Sequence, residues 1–205
     1  MSLGFFLTIE GIDGSGKSTQ AGKVASWIQQ ELGRPVVWTR EPGGWGDGEI
    51  RDMLIRGDWA NSYTEMLLFF ADRCEHCTRV ITPALLDGSV VLCERYQDST
   101  IAYQSFGMGL PEGLVAGVFS SLRLPVPDRT LWLDVSLEEA MARLSARGAG
   151  DRIEARGLDF FKRVREGYLS ISVREPDRFI RVPASGDPED VFQRLKEELV
   201  RMLCS

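Results

Sequence analysis

The chain has 205 residues, of which 43% are hydrophobic and 26% charged, and its formal net charge is −6. This length and composition are typical of one globular domain spanning residues 1–205, and no apolar run is long enough to cross a membrane. The acidic balance argues against a nucleic-acid polymer as partner, since such binders usually carry a basic face, but it leaves nucleotides open.

The chain begins with a predicted strand, a glycine-rich loop and a helix. Apolar residues 5–9 predict a buried strand, and a helix is predicted from residue 17 to about residue 32. The segment between them reads G-I-D-G-S-G-K-S-T, which matches the phosphate-binding pattern G-x-x-x-x-G-K-S/T. Its glycines let backbone N–H groups point at phosphate oxygens. Lys17 supplies a positive charge, and the hydroxyl of Ser18 is placed to bind Mg²⁺. The predicted triphosphate-binding residues are Gly11, Ile12, Asp13, Gly14, Ser15, Gly16, Lys17, Ser18 and Thr19.

Strand-like and helical segments alternate along the rest of the chain, which is typical of a parallel α/β sheet. Further strands are predicted at residues 35–39, 89–93, 129–133 and 179–182. Helices are predicted at residues 49–56, 62–86, 97–122 with a break at 107–111, 138–147, 158–173 and 188–203. We therefore expect an α/β fold with a central parallel five-stranded sheet flanked by helices.

Two glycine-rich loops, residues 41–48 and 148–157, interrupt this alternation. Open parallel sheets bind ligands at the carboxyl ends of their strands, so both loops are expected near the triphosphate. The second loop and the helix before it carry the arginines Arg143, Arg147, Arg152 and Arg156. A charged loop of this kind is usually mobile surface, but phosphoryl transfer also needs cations around the transferred oxygens.

Cys74 and Cys77 form a C-x-x-C motif around His76, the only histidine in the chain. The motif raises the possibility of a metal or redox site. No second Cys/His pair lies at ligand spacing, and the motif falls within a predicted helix, so reduced thiols are the favoured interpretation. The first residues lack the layout of a signal peptide, which predicts a cytoplasmic protein.

A phosphate-binding loop alone is compatible with GTPases, motor ATPases and small-molecule kinases. The chain has no guanine-reading N-K-x-D motif, and motor ATPases are normally larger. Three further clusters favour a nucleotide kinase. They are T-R-E-P-G-G at residues 39–44, L-F-F-A-D-R at residues 68–73 and E-R-Y at residues 94–96.

With these motifs the chain resembles the thymidylate kinases, which phosphorylate dTMP to dTDP. The resemblance runs in order from residue 6 to about residue 186, and T-R-E-P-G-G is its most distinctive match. It implies a P-loop kinase fold with a mobile lid at about residues 148–157. It also implies ATP as phosphate donor, Mg²⁺ as cofactor and a homodimer formed through the long helices.

The resemblance assigns an acceptor site to this sequence. It implies that Phe69 stacks on thymine, that Arg73 binds the exocyclic oxygen of the base and that Asp13 reaches the 3′-hydroxyl. Tyr103 would pack beneath the deoxyribose and disfavour a ribose. From spacing alone, the phenylalanine could be a core residue and the arginine a solvated one. The other predicted contacts with dTMP are Arg40, Arg51 and Arg95 at its phosphate and Pro42, Thr100 and Gln104 around its base.

The sequence departs from the family pattern near the acceptor phosphate. The loop before Arg51 is about one residue shorter than in the family, and Trp45 stands where a threonine is usual, which leaves the register of the arginine open. An ordinary charge on a helix surface is the alternative interpretation of this arginine.

The predicted catalytic residues are Lys17, Arg95, Arg147 and Arg152. Gly14 and Ser15 stand where some thymidylate kinases carry an arginine. For this reason two of the predicted catalytic residues, Arg147 and Arg152, are placed in the lid. The resemblance then implies that the lid supplies the arginines, as in the bacterial subgroup. Asp151 and Glu154 are expected to orient them.

Ser18 and Glu94 are the predicted ligands of Mg²⁺. The family usually has an aspartate before the R-Y pair, and glutamate can fill that place with a longer arm. Asp134, which follows the next strand, is the alternative carboxylate. Glu94 ranks above it because it adjoins Arg95.

Two other functions remain open. A deoxynucleoside kinase would need Glu41 or Glu94 as a general base, whereas a phosphorylated acceptor is already ionised and needs none. The arginines predicted around the acceptor argue against a neutral nucleoside. A nucleotide-binding protein without turnover is the second alternative, and the intact phosphoryl-transfer motifs argue against it.

Overall fold

The computed structural model describes residues 4–148 and 156–203. These residues contain a parallel five-stranded sheet in the spatial order β2-β3-β1-β4-β5, which confirms the predicted α/β fold. Each strand bound lies within one residue of its prediction. The strands are β1 (Phe5–Glu10), β2 (Val36–Arg40), β3 (Val90–Glu94), β4 (Arg129–Asp134) and β5 (Phe179–Pro183).

Helices connect the strands and cover both faces of the sheet. The predicted long helix at residues 62–86 and the helix at residues 97–107 each contain a π-helical segment. No helix among residues 4–148 and 156–203 is long and apolar enough to cross a membrane. The helices are α1 (Lys17–Glu31), α2 (Glu49–Arg56), α3 (Ser62–His76), α4 (Thr82–Leu86), α5 (Gln97–Thr100), α6 (Glu112–Leu122), α7 (Leu137–Arg147), α8 (Leu158–Arg174) and α9 (Pro188–Leu203), with π-helical segments at Cys77–Ile81 and Ile101–Gly107.

Local signals explain where some of these helices begin. The Asn61 side chain accepts a hydrogen bond of 2.8 Å from the backbone N–H of Tyr63 and so caps α3. Ser136 caps α7 in the same way through the N–H of Glu139, at 3.2 Å. Both residues are short polar side chains that precede an amphipathic segment, which is why these helix starts are readable from sequence.

The sheet register gathers polar side chains at one edge. Ile9 of β1 and Arg40 of β2 both lie opposite Glu94 of β3, so three strands end at the same level. The phosphate-binding loop leaves β1 at this edge. Because the carboxyl ends of parallel strands share one side of the sheet, the strand order itself assembles the site.

An aromatic cluster packs the far half of the sheet against α8. The ring centroids of Trp132 and Tyr168 lie 5.9 Å apart, and those of Tyr168 and Phe179 lie 6.2 Å apart. Directly before Tyr168 on α8, Gly167 allows the second π-helical segment to approach closely, since a Cβ added there would lie 2.9 Å from Cα of Ala102. This contact holds the segment that carries two predicted acceptor residues.

Replacement of Gly167 by alanine tests this close approach. The added methyl group would press on Ala102 and on the ring of Phe106, so we expect a loss of about 1–3 kcal/mol in the free energy of unfolding. Urea denaturation measures it. Glu166→Ala, at an exposed position on the same helix, is the control and should change stability by less than about 0.5 kcal/mol. Equal stability of the two variants would show that the approach is not tight.

Candidate active site

The phosphate-binding loop has the backbone that its glycines predict. Gly14 and Gly16 have φ angles of 82° and 91°, in the left-handed region that disfavours other residues. A Cβ at Gly14 would also lie 2.4 Å from the carbonyl oxygen of Ala140, so a side chain has no room there. The loop is therefore held open at the N-terminus of α1, where backbone N–H groups and the helix dipole favour an anion.

Lys17 lies inside this loop. Its ammonium group donates hydrogen bonds to the carbonyl oxygens of Gly11, at 3.0 Å, and Ile12, at 2.8 Å. Burial and the nearby guanidinium of Arg95 lower the pKa of Lys17 to about 7. A bound polyanion beside this ammonium group would stabilise its charged form.

A cleft of about 1110 Å³ opens over the loop. It contains most of the predicted triphosphate contacts and four arginines, which come from β2, α2, the position after β3 and α7. Its lining residues are Asp13, Gly14, Gly16, Lys17, Ser18, Thr19, Arg40, Glu41, Arg51, Glu94, Arg95, Arg143 and Leu144.

The two predicted Mg²⁺ ligands meet in this cleft. The Ser18 hydroxyl donates a hydrogen bond of 2.5 Å to Oε2 of Glu94, whose side chain is almost fully buried. Hydroxyl and carboxylate oxygens are the hard donors that Mg²⁺ prefers, so the pair fits this ion. Asp134, the alternative carboxylate, is instead held by Arg165 and Arg181 in a different cleft. The geometry thus favours Glu94.

Arg95 joins the phosphate-binding loop to the neighbouring cleft. Its backbone has φ 64°, an uncommon conformation for a residue with a side chain, and its N–H donates to the carbonyl oxygen of Ile9 at 3.0 Å. Its guanidinium donates to Asp13 at 2.5 Å and to the Gly11 carbonyl at 3.1 Å, and it lies 4.8 Å from the ring centroid of Tyr103. This arginine is therefore positioned by three elements.

Asp13 is the carboxylate in this arrangement. Its second oxygen accepts a hydrogen bond of 2.9 Å from the hydroxyl of Tyr103. Burial raises the pKa of Asp13, but the charges of Arg95 and Lys17 and the tyrosine hydrogen bond outweigh burial and leave the pKa below its ordinary value. An ionised carboxylate consequently stands between the two clefts.

The second cleft has a volume of about 700 Å³ and adjoins the first. Every predicted acceptor residue except Arg40 lines it, and Arg40 lines the phosphate cleft. Arg51, whose register the sequence left open, lines both clefts. The lining residues of the second cleft are Asp13, Glu41, Pro42, Arg51, Leu54, Ile55, Phe69, Arg73, Arg95, Ser99, Thr100, Tyr103 and Gln104.

Arg73 forms the buried end of this second cleft. Its Nε donates to Oε2 of Glu41 at 2.7 Å, while its other nitrogens donate to the hydroxyl of Thr100 and the carbonyl oxygen of Tyr96. Burial lowers the pKa of Arg73, but the charge of Glu41 outweighs it and the pKa lies above its ordinary value. The other oxygen of Glu41 is bonded to Nδ1 of His76 at 3.0 Å. Sequence analysis considered Glu41 only as a base for a rival function and missed this positioning role.

The loop at residues 41–48 was expected near the triphosphate. Glu41 lines both clefts and Pro42 lines the second, while Gly43 and Trp45 are tied to α3. Asp72 accepts hydrogen bonds of 3.0 Å from the backbone N–H of Gly43 and from the indole of Trp45. The indole therefore anchors a loop that borders the acceptor side of the site.

The C-x-x-C motif lies on the long helix, as predicted. The Sγ atom of Cys77 is 3.0 Å from the hydroxyl of Tyr96, and burial raises the pKa of this thiol to about 12. His76 contacts Glu41 and Thr39, so the histidine between the cysteines faces other partners. Within the described residues no group of three or more metal-ligating side chains occurs.

Part of the predicted lid lies outside the described residues. This holds for Arg152, Asp151 and Glu154 and for the side chain of Arg147, so their predicted roles stay predictions. Arg156 is described and donates a hydrogen bond of 2.8 Å to Glu65 on α3.

A third cleft, of about 500 Å³, lies behind the phosphate-binding loop and escaped sequence analysis. Arg143 forms one wall, with its guanidinium bonded to the carbonyl oxygens of Gly14 and Ala184. Pro188 and Val191 contribute apolar surface. No local motif marks this cleft, because α7 and the segment after β5 meet only in the folded chain.

A parallel sheet with a phosphate-binding loop after β1 and an arginine-lined second cleft is the arrangement of a P-loop kinase for nucleoside monophosphates. The family model described as thymidylate kinase matches residues 9–195, and the chain belongs to that family.

Individual proteins of that family match nearly the whole chain. A thymidylate kinase of Caulobacter vibrioides is 42% identical and the match covers 99% of each chain. One from a Synechococcus strain is 41% identical over 93% of this chain and 91% of its own. The crystal structure of thymidylate kinase from Ehrlichia chaffeensis matches with a TM-score of 0.78 and 32% identity, over 96% of this chain and 98% of that one.

The Glu41–Arg73 ion pair yields a prediction about stability. Glu41→Gln leaves the buried guanidinium without its counter-charge, and we expect a loss of about 3 kcal/mol or more in the free energy of unfolding. Glu75→Gln, which breaks the exposed pair with Arg79, should cost less than about 0.5 kcal/mol. Urea unfolding of both variants measures the difference, and a loss below about 1 kcal/mol for Glu41→Gln would contradict the role given to this carboxylate.

Proposed function

We propose that this chain transfers the γ-phosphoryl group of ATP to dTMP and releases dTDP and ADP, in the synthesis of dTTP. One observation carries the proposal: a phosphate-binding cleft and a second, aromatic-lined cleft share Asp13, Glu41, Arg51 and Arg95. A phosphorylated acceptor in the second cleft would direct its phosphate toward the donor. Membership of the thymidylate kinase family supports thymine as its base.

The second cleft offers groups for a thymine nucleotide. Phe69 is half-buried and lines the cleft, where its ring can stack on a base. Arg73 has N–H groups beyond its three protein hydrogen bonds, and these suit an exocyclic carbonyl oxygen. Pro42, Thr100 and Gln104 complete the base end of the cleft.

The sugar and phosphate of the acceptor would lie nearer the phosphate-binding loop. Asp13 is ionised and can accept a hydrogen bond from the 3′-hydroxyl, while Tyr103 packs at the sugar. Arg95, Arg51 and Arg40 bring positive charge to the acceptor phosphate, which guanidinium groups bind well. This phosphate is already ionised at neutral pH, so no general base is required.

Catalysis then depends on positioning and charge neutralisation. Lys17 would lie against the outer phosphates of ATP, and Ser18 with Glu94 would hold Mg²⁺. When bound, Mg²⁺ neutralises charge on the donor phosphates. The lid arginines Arg147 and Arg152 remain our proposed cations for the transferred group.

The third cleft is the proposed site of the donor base. It adjoins the phosphate-binding loop at Gly16 and Thr19 on the side away from the acceptor cleft. The planar guanidinium of Arg143 can stack on a purine, and Val191 offers apolar contact. This assigns the donor base to residues that the sequence motifs do not contain.

The contacts of the two acidic residues argue against a deoxynucleoside kinase. Glu41 is bonded to Arg73 and His76, and Glu94 lies with Ser18 at the proposed metal site, so each carboxylate already has another role. Neither is placed as a base for a sugar hydroxyl. Intact phosphoryl-transfer residues likewise argue against a binding protein without turnover.

We also propose a homodimer in the cytoplasm. Large apolar side chains are exposed on α3 and α6, namely Tyr63, Leu67, Leu114 and Leu122, which supports association of two copies through these helices. The described cysteines Cys74, Cys77 and Cys93 are free thiols, which is typical of a reducing compartment.

A panel of acceptors tests the proposed reaction. With Mg²⁺-ATP, ADP release should be fastest with dTMP, slower with dUMP, and close to background with AMP or thymidine. The reason is that the acceptor cleft combines a base pocket with cations for a phosphate. Turnover with thymidine but not dTMP would instead identify a nucleoside kinase, and no turnover with any of the four would contradict an enzymatic role.

Arg95→Ala tests the cation shared by the two clefts. We expect kcat/KM for dTMP to fall by about a thousandfold or more, since the guanidinium shared by the two clefts would no longer neutralise the reacting phosphates. Arg174→Ala, which removes an arginine from an exposed ion pair with Glu112, is the control and should be near wild type. Near-normal turnover of Arg95→Ala would refute the assigned role, provided that circular dichroism shows a folded protein.

A further inference from the structure

Glu94, the proposed Mg²⁺ carboxylate, is held by two different elements of the fold. Its Oε2 accepts the hydrogen bond of 2.5 Å from Ser18 on α1, and its Oε1 accepts a hydrogen bond of 2.9 Å from Nε1 of Trp38 on β2. The carboxylate is only 5% exposed. The serine contact belongs to the metal site already described, but the indole contact has no role in it so far.

The position of Trp38 is unusual for a packing residue. The side chain is 47% exposed, although large aromatic residues are more stable in the core. Its strand pairs Trp38 with Leu92 of β3, two residues before Glu94, so all three side chains share one face of the sheet. This register brings the indole N–H to the carboxylate.

The neighbouring helix is adapted to the indole. Gly22 lies within α1, where glycine is unfavourable, and a Cβ added there would lie 3.3 Å from Cη2 of Trp38. The absence of a side chain at this position lets the ring pack closely against the helix. Glycine and tryptophan together therefore set the place of the N–H group.

A glutamate needs such support more than a shorter carboxylate does. It has one more rotatable bond than aspartate, and each free bond lets the carboxylate leave the position beside Ser18. An indole N–H only donates, so it can hold one oxygen without competing for a cation. We infer that Trp38 is a positioning residue that holds the Glu94 carboxylate at the proposed divalent-cation site. The inference rests on the proposed function of Ser18 and Glu94.

The test measures binding of Mn²⁺, an oxygen-preferring stand-in for Mg²⁺, to the full chain with bound ADP. The electron paramagnetic resonance signal of free Mn²⁺ is lost on binding, so its decrease gives the affinity for Mn²⁺. Protein is kept in excess over ADP. Trp38→Phe keeps an aromatic ring on Gly22 but removes the N–H. It should weaken Mn²⁺ binding about tenfold, as is typical when a group that orients a metal ligand is lost.

Comparison with Glu94→Gln separates positioning from packing. Glu94→Gln should weaken Mn²⁺ binding at least as much as Trp38→Phe does. Because the indole acts through the carboxylate, the double variant should bind Mn²⁺ no more weakly than Glu94→Gln alone. ADP affinity without metal should be unchanged by Trp38→Phe. Trp27 and Trp38 both line a surface groove beside α1, and Trp27→Phe should bind Mn²⁺ like the wild type.

Gly22→Ala tests the same positioning role independently, because its methyl group displaces the Trp38 ring without removing the indole N–H. It should also weaken Mn²⁺ binding, and thermal melting checks that each variant is folded. Unchanged Mn²⁺ affinity in folded Trp38→Phe, or an equal further loss in the Glu94→Gln background, would overturn the inference alone. Unchanged affinity in Glu94→Gln would overturn both the inference and the proposed metal site.

Discussion

The partly buried ion pair between Arg95 and Asp13 is the interaction on which the site depends. The aspartate lies in the phosphate-binding loop and the arginine follows β3, so the pair ties this loop to the second cleft. Two opposite charges removed from water stabilise a structure only when further hydrogen bonds satisfy them. Gly11, Ser99 and Tyr103 provide these bonds and contacts, which is why the loop and the acceptor wall form one unit.

Pairing of charged side chains with hydrogen-bonding partners recurs in the rest of the site. Several charged side chains near the clefts have partners that fix their direction: Glu41 holds Arg73, and Ser18 and Trp38 hold Glu94. Preorganised charges lose little freedom when substrates arrive, so binding energy goes into bringing two polyanions together. The fold supplies this order because β1, β2 and β3 end at one level and present these residues to a common space.

Much of this architecture could be predicted from the sequence. Apolar runs and caps located the strands and helices, and the family motifs named residues that line the second cleft. What escaped prediction depends on distant parts of the chain. The positioning of Arg73 by Glu41, the indole at Glu94 and the cleft behind Arg143 arise from contacts between elements far apart in sequence. No local pattern encodes such contacts.

The most direct test of the account is a crystal structure of the chain with dTMP and a non-hydrolysable ATP analogue. We predict the thymine against the ring of Phe69, an exocyclic oxygen on Arg73 and the acceptor phosphate on Arg95, facing the γ-phosphate held at Lys17. A thymine bound elsewhere, or a dTMP phosphate directed away from Arg95, would contradict the assignment of the two clefts.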